Sequence, residues 1–233
     1  MSAYFVTGTD TDAGKTLVAA GLLALARARG LTTLGLKPVA SGCANTPDGL
    51  RNDDALALLA RSVPAVSYDT INPFAFEPAI APHLAAQRAG VQLDLAGLSE
   101  QVAARLQAPR DFTLVEGAGG WRVPLNDSED LAGLATRLDL PVILVVGLKL
   151  GCLNHARLTA EAIRADGARL VGWVGNLLDA DFARDESLYA DNLATLQRTL
   201  DAPCLGVVPR LSRVAPARRP EAALTHLELP HGN

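Results

Sequence analysis

Gly8-Thr9-Asp10-Thr11-Asp12-Ala13-Gly14-Lys15-Thr16 lies between two apolar runs. Tyr4-Phe5-Val6 before it reads as a buried strand. Leu17-Val18-Ala19-Ala20-Gly21-Leu22-Leu23-Ala24-Leu25 after it reads as a helix. A glycine-rich turn from strand to helix is a phosphate cradle. Backbone N–H groups and the positive end of the helix dipole converge on one anion. Lys15 is placed to reach β- and γ-phosphates, and the Thr16 hydroxyl to hold Mg²⁺. The two glycines are separated by five residues where the usual loop has four, so this is a stretched P-loop. The plain alternative is an ordinary glycine turn before a helix, and Gly14-Lys15-Thr16 argues against it.

Further along, apolar strands alternate with helical patterns. Arg27-Ala28-Arg29-Gly30 is a basic last turn with a glycine stop. Thr32–Leu36 reads as a strand, ending at Lys37-Pro38-Val39-Ala40-Ser41-Gly42. Asp53-Asp54 opens the helix Ala55–Leu59, where carboxylates suit the dipole. Pro64, Pro73, Pro78 and Pro82 mark residues 64–82 as a long irregular connection. Helical patterns cover 82–89 and 94–107.

Phe112–Val115 is a short strand closed by Glu116 and the turn Gly117-Ala118-Gly119-Gly120. An acid at a strand end near a P-loop is a candidate Mg²⁺ contact. Pro141–Gly147 is the strongest apolar run, as expected for a parallel sheet covered on both faces. The loop Lys149–His155 feeds a helix over Ala156–Arg164. His155 reads as a packed or capping histidine, because no neighbouring carboxylate would orient it. Leu170–Val174 leads to Asn176, Asp185–Leu200 is a helix carrying Tyr189, and Cys204–Pro209 is a last strand. The alternation predicts an α/β fold: one P-loop domain, a mainly parallel sheet with helices on both faces. Its functional residues gather at strand C-termini. The domain is expected over residues 1–211, with a proline-rich, loosely packed tail over 212–233.

The bulk properties narrow the function. A chain of 233 residues with 49% hydrophobic and 20% charged residues is globular in composition. Its net charge of −4 includes no basic block, so neither nucleic acid nor a membrane surface is an expected partner. No leader pattern opens it and no apolar run reaches membrane length. Cys43, Cys152 and Cys204 show neither metal-ligand nor disulfide spacing and read as small buried or half-buried side chains in a reducing cytoplasm.

Taken together, GTDTDAGKT at Gly8–Thr16, KPVASG at Lys37–Gly42 and RNDDALAL at Arg51–Leu58 resemble the dethiobiotin synthetase family. VEGAGGW at Val115–Trp121, PVILVVGLKLGCLNHA at Pro141–Ala156 and GWVGN at Gly172–Asn176 extend the resemblance to about residue 211. It implies that ATP, CO₂ and 7,8-diaminopelargonate become dethiobiotin, ADP and phosphate, through a carbamate and a mixed carbamic-phosphoric anhydride. By position, Lys37, Lys15 and Thr11 match the catalytic residues. Asp12, Ala13, Gly14, Lys15, Thr16 and Leu17 match the nucleotide loop. Thr16, Asp54 and Glu116 match the Mg²⁺ ligands. Gly117, Ala118 and Gly119 match backbone beside the reacting groups, and Ser41 with Thr11 and Lys37 the diamine contacts. Asn176, Leu177, Pro209, Arg210 and Leu211 match the adenine contacts. Gly151, Cys152, Leu153, Asn154 and Tyr189 match the site for the substrate carboxylate, which the partner subunit of a homodimer supplies in that family. Asp12 stands where many members have Glu. Arg210 stands where others carry an aromatic or apolar residue, which bears on the base the site accepts.

Two other readings use the same fold. Partition and septum-site ATPases are switches on DNA or membranes, but they carry a lysine early in the loop, where this chain has Thr9, Asp10 and Thr11. A glutamine-dependent amidase of the cobyrinate type needs a glutaminase domain that 233 residues do not accommodate. A nucleotide-binding relative without activity is the blandest reading, and Lys37 with Glu116 argues against it.

Overall fold

In the computed structural model, which describes residues 2–230, strand β1 (Ser2–Gly8) runs into the glycine-rich loop and helix α1 (Lys15–Ala28) leaves it. Strand β2 (Thr33–Leu36) follows, then three short strands, β3 (Val39–Ser41), β4 (Ala44–Thr46) and β5 (Gly49–Arg51). Asn52 caps helix α2 (Asp53–Leu59), its side chain accepting from the backbone N–H groups of Asp54 and Ala55. Such a cap satisfies donors that a helix start otherwise leaves unpaired. Helix α3 (Tyr68–Ile71), strand β6 (Phe74–Phe76) and helices α4 (Pro82–Arg88) and α5 (Leu95–Leu106) lead to strand β7 (Phe112–Glu116). The remainder runs α6 (Gly133–Arg137), β8 (Val142–Leu148), α7 (Cys152–Ala165), β9 (Leu170–Leu177), α8 (Glu186–Thr199), β10 (Cys204–Val208) and α9 (Arg219–Ala223).

Six strands form one parallel sheet in the order β10-β9-β8-β1-β7-β2. From central β1 the chain moves out to β2, returns to β7, then crosses to β8 and continues the other way. The reversal lies at β1, and a crevice opens at the carboxyl ends of strands on either side of such a point. The register sets Val6 beside Glu116 and Gly8 beside Val145, so the acid and the loop emerge at one edge. Leu144, Val146, Leu148 and Trp173 pack with α7 and α8, while Val145 and Val174, one residue out of phase, join the larger core that includes α1. That two-residue alternation buries both faces of the sheet, which accounts for the unbroken apolar run of β8. The expected α/β fold is the fold observed. No helix of the described residues is long and apolar enough to cross a membrane.

Two expectations need correction. Residues 64–82 are not wholly irregular, since Ser67 caps α3 and β6 pairs in parallel with β3. Asn72 fixes this segment, its Nδ2 donating to the carbonyls of Lys37 and Phe74. The tail is also not loose over Pro216–Leu229. Pro216 opens a 3₁₀ turn and Pro220 stands in the first turn of α9, positions where proline favours a helix start. Pro220 and Ala223 are buried, and a Cβ on Gly21 of α1 would press to 2.8 Å from Leu227 Cδ1 and 3.2 Å from Ala223 Cβ. Arg61 pairs with Glu221 at 2.7 Å, and Glu228 N–H donates to the Leu205 carbonyl at 2.8 Å. The rest of the expected tail, residues 231–233, lies outside the described residues.

Candidate active site

The loop after β1 is shaped for an anion. Asp10 accepts from Thr11 N–H at 2.8 Å and starts a single 3₁₀ turn over Thr11–Ala13. Gly14 follows in the left-handed region at φ +92°, where a Cβ would also collide with Asn176 Nδ2, so only glycine fits. No side chain caps α1, so its first N–H groups stay open to a ligand. Lys15 arches back over the loop, its Nζ donating to the carbonyls of Asp10 at 3.0 Å and Thr11 at 3.1 Å. Burial, with the nearby Lys37 charge, lowers its pKa to about 8. A group whose charge is disfavoured before the ligand arrives is a strong attractor for an anion.

Lys37 leaves the end of β2 and is 4% exposed. Its Nζ donates to Glu116 Oε1 at 2.7 Å and to the Gly117 carbonyl at 3.1 Å, and lies 3.1 Å from Asp54 Oδ2. Burial opposes its charge, but the carboxylates of Glu116 and Asp54 outweigh burial and raise its pKa. Asp54 is shifted the opposite way: burial is overcome by Lys37, and its carboxyl is held below the ordinary range. Both partners therefore stay ionised at neutral pH. Thr16 Oγ1 donates to the same Glu116 oxygen at 2.8 Å.

Glu116 Oε2, by contrast, is buried with no hydrogen-bond partner. An orphaned carboxylate oxygen, on a side chain that already meets the Thr16 hydroxyl and shares Lys37 with Asp54, is a ready ligand for a hard cation. Among the described residues no three His, Cys, Asp or Glu side chains converge as a cage. The chain thus supplies two carboxylates and one hydroxyl, an incomplete oxygen set. Mg²⁺ fits such a set, because it is usually held by one or two carboxylates, with phosphate oxygens and water completing its shell.

These groups line one cleft of ≈ 330 Å³, with Thr11, Asp12, Gly14, Ser41, Ala118 and Gly119 around it. Gly117 contributes its carbonyl through Lys37, and buried Ala13 receives Asn176 Nδ2 on its carbonyl at 3.0 Å. A second cleft of ≈ 250 Å³ is lined by Asn176 together with Leu17, Leu177, Pro209, Arg210 and Leu211. All the residues matched to nucleotide, metal and diamine thus fall in or against two adjoining clefts. Gly151, Cys152, Leu153, Asn154 and Tyr189 line neither. Cys152 is buried, and Tyr189 packs edge-on against Phe182 at a centroid distance of 6.0 Å. His155 is exposed on α7, which starts at Cys152; it neither packs nor caps, and the expectation for it fails. Sequence reasoning missed Asn52, which lines the first cleft, and Ser212 and Arg219, which line the second. Asn52 carried a signal, the N-cap position before Asp53-Asp54. Arg219 carried none.

The family model for an AAA domain matches residues 2–218. The ATP-dependent dethiobiotin synthetase BioD of Chromohalobacter salexigens is 69% identical, with 99% of each chain covered. The protein of the same name from Cellvibrio japonicus is 60% identical over 97% of this chain and 96% of its own. Among solved structures, the MinC:MinD cell division protein complex of Aquifex aeolicus matches with a TM-score of 0.61 at 15% identity, covering 94% of this chain and 86% of that chain. That last likeness is one of fold.

Proposed function

The chain belongs to the family of ATP-dependent dethiobiotin synthetases, and from that premise we propose how its two clefts carry out an ATP-dependent, C–N bond-forming ligation. The observation that carries the assignment is the meeting of Lys15 and Lys37 with the half-satisfied Glu116 in one cleft beside the P-loop.

The substrates are ATP, CO₂ and 7,8-diaminopelargonate. One amine adds to CO₂ and loses a proton, giving a carbamate. A carbamate oxygen attacks the γ-phosphorus and ADP leaves, forming a mixed anhydride. The second amine attacks the carbonyl carbon, loses its proton and expels phosphate, closing the ureido ring. An anion must therefore approach an anion, and the dominant requirement is cationic preorganisation. Lys15 lies over the loop that takes the β- and γ-phosphates, and Lys37 faces the carbamate oxygen from the end of β2. Thr11 and Ser41 hold the diamine at the rim, with the Gly117–Gly119 backbone alongside. Thr16, Asp54 and Glu116 would hold Mg²⁺, which would supply neutralisation of the triphosphate's charge. Asn176 and the segment Leu177, Pro209, Arg210 and Leu211 take the base. The site for the substrate carboxylate is contributed by a second copy, from Gly151–Asn154 and Tyr189. The reaction belongs to the cytoplasm, without nucleic acid or membrane as partner.

The test is mass detection of dethiobiotin from the diamine, bicarbonate, Mg²⁺ and ATP, each omitted in turn. Product is expected only from the full set. Steady ATP hydrolysis without the diamine, stimulated by DNA or lipid, would instead support a switch of the septum-site kind.

A further inference from the structure

Lys37 is held through both sides of its backbone by one short segment. Its N–H donates to the Ile71 carbonyl at 2.8 Å, and its carbonyl accepts from Asn72 Nδ2 at 2.7 Å. The same amide nitrogen donates to the Phe74 carbonyl at 3.2 Å. Both amide protons are therefore committed, and Asn72 Oδ1 is left as an acceptor. The Tyr68 hydroxyl supplies the donor, at 3.0 Å. Its oxygen in turn accepts the backbone N–H of Asn52 at 2.8 Å. Only one direction of donation satisfies every member of this chain.

Asn52 is the cap of α2, its Oδ1 accepting from the N–H groups of Asp54 and Ala55, and its Nδ2 donates to the Ser41 carbonyl at 3.4 Å. One hydroxyl thus joins the end of β2, which carries Lys37, to the start of α2, which carries Asp54, with Ser41 tied to the same cap. Lys37 and Asp54 meet at 3.1 Å in the first cleft. Tyr68 itself lines neither cleft. It is buried with Asn72, and loss of its hydroxyl alone would leave Asn72 Oδ1 without a donor. The ring is held separately, with the Arg51 guanidinium carbon 4.3 Å from its centroid.

We propose that Tyr68 is a positioning residue for the ligation, whose hydroxyl sets the placement of Lys37, Asp54 and Ser41 around the diamine. The inference rests on the ligase reading above. Tyr68→Phe removes the hydroxyl and keeps the ring. With Mg²⁺ saturating, turnover should fall about tenfold or more, since small displacements of reacting groups cost rate steeply. KM for the diamine should rise about threefold or more, while KM for ATP stays within about twofold, because Lys15 and the second cleft lie outside this chain of bonds. A merely less stable enzyme loses active molecules, which lowers turnover and leaves both KM values where they were. That pattern would overturn the proposal, as would equal rises for the two substrates. Arg51→Lys keeps the charge but loses the stacked plane, so it should melt earlier with wild-type kinetics. The Tyr68→Phe pattern in this variant would trace the defect to a loosened segment and overturn the proposal. Apart from turnover, amide hydrogen exchange at Asn52 should quicken about tenfold or more in Tyr68→Phe. Unchanged exchange there would show that the hydroxyl does not hold α2. Should Tyr68→Phe fail to fold, Asn72→Ala breaks the same chain at the next link and is expected to give the same pattern. A wild type that makes no dethiobiotin would sink the ligase reading, and the positioning claim with it. A wild type that does, beside an unaltered Tyr68→Phe, would sink the positioning claim alone.

Discussion

Lys15 carries its charge where burial disfavours it, with a pKa of about 8. At pH 9 about nine in ten such groups are neutral, and a bound triphosphate would restore the proton by attraction. Nucleotide binding at pH 9 should therefore take up close to one proton, and at pH 6.5 almost none from this group. Binding enthalpies measured in buffers of different ionisation heat check this. An uptake that persists in Lys15→Met would assign it to another group. Lys37 is held differently. Because Glu116 is buried beneath it, Lys37→Ala removes the cation proposed to face the carbamate and also strands an acid. Turnover should fall by about 10²–10³ or more at saturating ATP. Melting should show a loss on the order of 3–5 kcal/mol, typical of breaking a buried pair from one side. Near-normal turnover would remove Lys37 from the catalytic group. Lys15, Thr16, Lys37 and Glu116 were legible in the sequence because each closes a strand or loop whose apolar pattern announces it. Arg219 was not, because what places it is the docking of α9 on α1, and nothing local to residue 219 encodes that contact.

At the scale of elements, the alternation of apolar runs with helical patterns revealed the sheet and both of its faces. It failed where proline stood for irregularity. In Pro82 and Pro220 the ring serves a first helical turn, and in 64–82 the pairing of β6 with β3 depends on Asn72, a long-range contact. The C-terminal segment is the larger case. It closes on the sheet at Gly206, at φ +132°, where a Cβ would run into the His226 carbonyl while Leu227 bridges to the same glycine. Gly206→Ala should therefore detach the segment and expose the α1 face that Ala223 and Leu227 cover. The expected readouts are a stability loss of about 2 kcal/mol or more and new proteolytic cleavage between residues 212 and 218. Unaltered melting and cleavage would show that the segment contributes little to the fold.

The whole molecule poses a question that one chain does not answer. The residues proposed for phosphoryl transfer line the clefts at the P-loop, yet the start of α7 lies outside both. There Leu150 is 91% exposed and Asn154 is open. A diamino acid with a long apolar chain must reach from Lys37 to something that binds its carboxylate. In a two-fold dimer each site would pair one chain's P-loop with the other chain's Asn154. The consequence is a complementation that no single-chain site allows. Lys15→Ala and Asn154→Arg should each be nearly inactive alone. In a mixed dimer one site inherits both defects and the other neither. Unfolding the two variants together and refolding them makes about half of the dimers mixed, so dethiobiotin formation should return to roughly a quarter of wild type. No recovery, with dimers verified by mass, would place each site within one chain and leave Asn154 and Tyr189 without a part in it.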